Sequence, residues 1–454
     1  MKHSRGSMMR SERRVADARG TVLASLSLLA CVAAAPYSAR SRAASPARAV
    51  PADRIVRIAL GTPAPIVLVG ATGAWRMTGR AGNGYLASGG GGTAFRIEVA
   101  RGRLLATDGR ARVVDGGPLV LRPNAPGDLV TWEGRRYRGE LRVSLAPGGL
   151  LQVVNVLPVE EYLRGVVPLE IGMRQPDERA AVEAQAIAAR SYTLVRIGSV
   201  NAARPYDMVA SVADQVYGGA EAERPLSDEA VRATRDLVLW FAGRVVSAPY
   251  SSTCGGSTAD GAEVWRTADA PYLRRVSDQI PGSNRAYCEV SPRFHWSATF
   301  TGEQIATLLT RHLASASGSE SSPTSASAAA TRAAVRSHEL TTVRSVEAGP
   351  TTPSGRVSVL VIGTNRGPVT LRGNEIRYAL RPVGGTAILQ STEFRIAPVI
   401  GSDGTIRQLT LTGEGYGHGV GMCQWGAIGR ARAGLGVREI LSAYYPGTTV
   451  APAS

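Results

Sequence analysis

Glu170 closes the apolar run Val166-Val167-Pro168-Leu169, just ahead of a helix-forming stretch. Burial among such neighbours disfavours the charged carboxylate, so the group would keep its proton near neutral pH and serve as a general acid. A residue that simply begins or caps the helix fits the same position. Glu160 and Glu161 read as the surface of a turn. The second reactive set is Cys254, Cys288, Cys423 and His418. Together they make a Cys3His group suited to structural zinc, although the wide spacings contain no C-x2-C knuckle. A Cys254–Cys288 disulfide is the simpler reading in an oxidising compartment, and buried free thiols are a third. His418 and Cys423 lie five residues apart, which shows no hydrogen bond and no orienting partner, so a Cys–His nucleophile is disfavoured. His418 itself sits among glycines, where it could bind sugar, move a proton, ligate metal or satisfy buried backbone. No Lys-Ser/Thr follows, so the stretch is not a phosphate loop.

The elements that must position these groups are legible as periodic segments. Short apolar or alternating runs at 54–60, 65–69, 95–99, 119–122, 137–145 and 150–156, separated by Gly-rich turns, predict a small β-domain. Residues 176–198 (PDERAAVEAQAIAARSYTLVRIG) predict a helix, with Pro176 and Asp177 as start signals and Gly198 as the stop. Its density of alanine implies close packing against a neighbour. Further helices are expected over 228–235, 302–313 and 437–444, and strands over 237–241, 245–250, 356–362, 369–372 and 387–389. Fold class is therefore α+β. Residues 314–334 are a Ser/Ala tract with too little apolar surface to order itself, read as a flexible insertion.

The chain has 454 residues, a formal charge of +16 and 6% aromatic residues, with 52 Gly and 26 Pro. Such a composition excludes a long coiled coil and a fully disordered chain. Lys2 is the one lysine, so the arginine bias reflects composition rather than nucleic-acid binding, and no nucleic-acid-binding motif is present. Basic residues before an apolar stretch at 21–35 make an export signal over 1–35, followed by a flexible tether at 36–53. The apolar stretch is shorter than the ~20 residues that span a bilayer, and no transmembrane helix is expected. Leu28-Leu29-Ala30-Cys31 resembles a lipobox, which would put a lipid anchor on Cys31; cleavage near Ala33-Ala34-Ala35 would discard it. Arg13-Arg14 lacks the context of a twin-arginine signal. A basic exported chain suits an anionic partner in the envelope.

A wider set of motifs accompanies Glu170. Residues 151–192 are followed by Tyr206-Asp207, DQVYGG at 214–219, YSSTCGGST at 250–258, Val264-Trp265, Tyr272-Leu273, SGRV at 354–357, residues 389–394, GYGHGVGMCQWGA at 415–427 and YYPGT at 444–448. In this order the chain resembles the SpoIID/LytB family (stage II sporulation protein D and the amidase enhancer LytB). The resemblance implies a SpoIID-like core over 151–313 and 335–449, interrupted by the insertion, beside the β-rich region at 54–150.

The resemblance further implies an exported peptidoglycan lytic transglycosylase, periplasmic or envelope-associated, that cuts MurNAc–GlcNAc strands. The family's Val-Pro-x-Glu glutamate falls on Glu170 as the single acid/base. The alternative the family offers is a non-catalytic glycan-binding enhancer of a cell-wall amidase. Arg190 matches the family's Ala-Ala-Arg stretch; with Gln215, Tyr217, His418 and Gln424 it forms the expected substrate-binding set, although Arg190 could be a surface ion pair and Gln215 and Tyr217 could lock a loop. Glu183 departs from the lysine of many relatives. No cofactor is required by the reaction; zinc held through Cys and His in some relatives keeps a structural zinc open at Cys254, Cys288, His418 and Cys423. Arg110, Arg112, Arg135, Arg136 and Arg138 could contact anionic wall polymer or form a solvated face.

Overall fold

A computed structural model describes residues 54–79, 84–110, 112–199, 204–265, 270–316, 340–381 and 388–453. The export signal at 1–35, Cys31 and the tether lie outside the described residues, as does all of the 314–334 tract beyond 316. Residues 314–316 belong to the end of a helix rather than to the insertion. Among the described residues no helix is long and apolar enough to cross a membrane.

Alternating apolar residues in the N-terminal region build two sheets. The first has seven strands in the order Met208–Val209, Ile55–Ala64, Leu150–Pro158, Glu140–Ala146, Leu119–Pro123, Trp75–Thr78 and Tyr85–Gly89. Ile55–Ala64 pairs antiparallel with Leu150–Pro158 and parallel with Met208–Val209. The β-rich region is thereby hydrogen-bonded into the segment that follows it. The second sheet has six strands, Arg135–Tyr137, Val130–Trp132, Ile66–Ala71, Ala94–Ala100, Arg103–Thr107 and Arg112–Asp115. Both contribute to one apolar core, with Trp75 of the first edge-on to Phe95 of the second at 5.1 Å.

Nine helices are described: α1 Val159–Arg164, α2 Val167–Ile171, α3 Arg179–Ser199, α4 Pro225–Ala233, α5 Gly261–Trp265, α6 Gly302–Ala316, α7 Glu375–Ala379, α8 Gln424–Arg432 and α9 Val437–Tyr444. The predicted 176–198 helix is present as a 3-10 turn at Pro176–Glu178 running into α3. Its alanines do what their size allows: Ala181, Ala184, Ala186, Ala188 and Ala189 are fully buried, and α1, α2, α4, α8 and α9 all pack on α3. Glu178, buried at the head of α3, pairs with Arg432 at the end of α8 at 2.6 Å.

A second apolar core holds α6, α7, the sheet of His295–Thr301, Ile406–Glu414 and Phe394–Ile400, and the sheet of Val343–Ala348, Val359–Thr364 and Gly367–Arg372. Two expected strands differ. Residues 245–250 are not one strand but parts of two, Arg244–Val245 and Tyr250–Ser251, because the second pairs with a distant partner. Residues 388 and 389 are not in a strand; Leu389 is fully buried, and the strand begins at Phe394.

Tyr250–Ser251 pairs in parallel with Met422–Cys423, which delivers α8 to the site described below. Gly421 makes that approach possible. Its φ of +71° disfavours a side chain, and a Cβ there would lie 2.0 Å from the Pro249 carbonyl oxygen. Gly421→Ala is expected to destabilise the fold by about 2 kcal/mol or more, read as a lower urea midpoint. An unchanged midpoint would show that this strand pairing tolerates displacement.

Candidate active site

Glu170 is the fourth residue of α2, a helix of little more than one turn between Val166 and Gly172. Val167, Pro168 and Ile171 of the same helix are buried, whereas Leu169 and Met173 stand exposed on either side of the glutamate. The backbone N–H of Val216 donates to Glu170 Oε1 at 2.7 Å. The side-chain amide of Gln424, the first residue of α8, also acts on this carboxyl and favours its charge. Both favour the ionised form, yet enclosure of the carboxyl outweighs them and lifts it from 4.5 to about 7.

The polar groups around this carboxyl are fixed in turn. Gln215 is buried with its amide fully used: Nε2 donates to Tyr250 Oη at 2.9 Å and to the Ala189 carbonyl at 3.3 Å. Its Oε1 accepts from Tyr162 at 3.1 Å and Thr193 at 2.9 Å. The next backbone N–H, that of Val216, is thereby aimed at Glu170. Burial, reinforced by the Glu170 charge, pushes the Tyr162 and Tyr250 hydroxyls above their ordinary range. Tyr192, also raised by burial, reaches about 12. Gln424 Nε2 also donates to Gln185 Oε1 at 3.1 Å, while Gln185 Nε2, buried in α3, has no protein partner. Asp214, whose charge also acts on Tyr162 and Tyr192, is engaged by Arg196 at 2.9 Å, the Val209 N–H at 2.9 Å and Tyr192 at 3.2 Å.

The expected substrate set divides. Gln424 meets Glu170, and Gln215 acts on the site through the loop it locks. Tyr217 is buried, donating to Asn155 Oδ1 at 2.8 Å, with its ring 4.9 Å from that of Tyr162 and 5.9 Å from that of Tyr137. It fastens the loop to the β-rich region and offers no free face to a sugar. Arg190 is neither a glycan contact nor a surface ion pair. It is buried, and its guanidinium binds both oxygens of Glu160 at 2.7 and 2.9 Å and the carbonyls of Leu237 and Val231 at 3.1 and 3.2 Å. Glu160 is thus a structural partner rather than turn surface, and Glu161 pairs with Arg164 and Arg138. Glu183 is engaged by Arg179 at 2.7 Å. In the β-rich region Arg136 and Arg138 are committed to Glu221 and Glu223 at 2.9 and 2.5 Å.

His418 is half-buried in the Gly-rich stretch. Its Nδ1 accepts from the Val420 N–H at 3.1 Å, and its ring lies 4.9 Å from that of Trp265. Burial, with the positive charges of Arg377 and Arg356, lowers it to about 3, so the imidazole is neutral. It is absent from the thiol cluster in which it was expected as the fourth ligand. Cys254, Cys288 and Cys423 do converge, but the fourth group beside them is Asp278, all four donor atoms lying within 4.8 Å of one another. Cys254 and Cys288 are not bonded; their sulfurs are 3.6 Å apart and all three thiols are free.

Sequence reading missed Gln185, Val216, Tyr250, Asp278 and the structural use of Glu160. Signals existed for one of these: Gln185 interrupts an alanine-rich buried face, as Arg190 does. The Val216 N–H is a backbone group, and Asp278 lies in a segment with no periodicity.

Residues 148–241 match the Stage II sporulation protein family, and residues 259–421 match a domain of unknown function. An uncharacterized protein of Brachyspira hyodysenteriae is 29% identical over 323 residues, covering 71% of this chain and 74% of its own. The amidase enhancer of Bacillus subtilis is 27% identical over 394 residues, 81% of this chain and 50% of the enhancer; this chain thus corresponds to half of that protein. Stage II sporulation protein D of Bacillus subtilis is 29% identical over 319 residues, 66% of this chain and 77% of the relative.

Arg190→Ala would leave Glu160 and two carbonyls without their partner. A loss of about 3 kcal/mol or more in urea unfolding is expected. A loss below about 0.5 kcal/mol is what a solvent-facing arginine would give.

Proposed function

From the premise that the chain belongs to the SpoIID/LytB family, we propose that it is a peptidoglycan lytic transglycosylase of the cell envelope, with Glu170 as its acid/base. The observation that carries this reading is the half-buried carboxyl held at about 7 with the Val216 N–H bonded to it.

Cleavage between MurNAc and GlcNAc begins with the Glu170 proton passing to the glycosidic oxygen as the C1–O bond breaks. The C6 hydroxyl of the same MurNAc then attacks C1, and its proton returns to Glu170. The product is a 1,6-anhydro sugar, no water is consumed, and the carboxyl ends as it began. Val216 N–H and the Gln424 amide act in the middle of this cycle, when Glu170 carries a charge that its surroundings otherwise penalise. They hold the anion without abolishing the acid. Leu169 and Met173, exposed beside Glu170, offer apolar faces to sugar rings.

The named relative that matches most of this chain supports a second reading, glycan binding that stimulates a cell-wall amidase. The two readings separate at one atom. Glu170→Gln keeps size and burial but cannot donate the acidic proton. On purified glycan strands, both intact and stripped of stem peptides, the substitution is expected to lower anhydro-product formation by roughly 10²–10⁴-fold. Because the acid form is the active one, kcat/KM of the unaltered protein should be level below pH 6 and fall about tenfold per unit above pH 7. Wild-type product yield from the Gln variant would leave the enhancer reading.

A further inference from the structure

The thiol cluster lies outside the chemistry proposed for Glu170, and its parts are assembled from three distant segments. Cys254 follows the strand Tyr250–Ser251, Cys288 sits in the turn Tyr287–Val290, and Cys423 caps α8; Asp278 comes from the loop between the first two. Each of the four is 0% exposed. We infer that Cys254, Asp278, Cys288 and Cys423 form a closed structural site for Zn²⁺, a ligand set that replaces the expected His418 with Asp278.

Geometry favours a metal over the alternatives. With Zn–S bonds of about 2.3 Å, neighbouring sulfurs of a tetrahedral site stand about 3.8 Å apart; Cys254 and Cys288 stand at 3.6 Å. A disulfide would use two of the four converging donors, whereas one tetrahedral ion uses all four. Three soft sulfur ligands select zinc over magnesium or calcium, and four protein ligands leave no position for substrate.

The surroundings are those of ligands already oriented. Cys423 Sγ accepts the N–H groups of Cys254 at 3.2 Å and Gly426 at 3.3 Å. Such bonds stabilise a thiolate. Asp278 Oδ1 accepts from Tyr444 at 2.5 Å and Arg430 at 3.1 Å, and Oδ2 accepts from the Cys288 N–H at 3.1 Å. These contacts fix the carboxylate as outer partners of a metal ligand do.

The site also has a consequence for Glu170. Gln424, whose amide acts on the Glu170 carboxyl, is the residue after Cys423. An ion binding Cys423 would pin the start of α8 to the 254 and 288 segments, and Gln424 with it. Zinc binding itself does not depend on the glycan-cleaving reading.

The test is metal content of the full chain, purified without chelator, by mass spectrometry, together with peptide mapping of the three cysteines. About one zinc per chain is expected, with the three thiols unmodified by alkylating reagent until the metal is removed. Replacement by Co²⁺ should give a thiolate-to-metal charge-transfer band. Asp278→Asn, which preserves shape, and Cys288→Ser should each weaken metal affinity about tenfold or more. Metal-free protein with a mapped Cys254–Cys288 disulfide, or with three thiols that react freely in the folded chain, would overturn the inference. So would stoichiometric zinc unchanged in both variants. The wild-type measurements decide the question even where a variant fails to fold.

Discussion

A carboxyl that must stay protonated in water-facing chemistry has to be enclosed, and enclosure is what this part of the molecule supplies. Holding Glu170 at about 7 rather than 4.5 costs its ionised form about 3 kcal/mol. That cost is what remains after Val216 and Gln424 have offset part of the desolvation. These three residues come from α2, from the loop before α4 and from the first turn of α8. Much of the surrounding architecture serves to keep those segments in register.

Helix α3 is the common support. Its alanines let five helices approach closely, and its few polar residues are spent on fastening them. Arg190 fastens α1 to the segment at 231–237, and Ser191 Oγ accepts the Leu239 N–H at 2.9 Å. Thr193 and the Ala189 carbonyl hold Gln215, and Gln185 meets Gln424. A buried polar group without a partner is costly, so each of these contacts also specifies which neighbour packs where. The parallel pairing of Tyr250–Ser251 with Met422–Cys423 completes the frame from the other side and brings the thiols into one place.

Local pattern carried much of this. The α+β class, α3 with its start signals, the strands of the β-rich region and α9 are written in short-range periodicity and in the punctuation of Gly and Pro. Partial burial of Glu170 was legible too, because its neighbours in sequence are apolar. Long-range pairing was not. Arg190 looked like a groove residue because its motif gives no sign that Glu160 lies opposite it. His418 looked like the fourth member of a zinc set because Cys and His are the common ligands, whereas Asp278 becomes its replacement only when residues 254, 278, 288 and 423 meet in space. The strand expected at 245–250 failed for the same reason, its second half being claimed by residues 172 positions away.

The central claim concerns one ionisation, and it can be observed without substrate. Titration of the glutamate side-chain carboxyls by carbon-13 NMR, with Glu170→Gln used to assign the signal, reports that ionisation directly. The account predicts a midpoint near 7 for Glu170, well above the ordinary 4.5. A midpoint near 4.5 would mean that the carboxyl is solvated and ionised at neutral pH, and the acid assigned to this site would not exist.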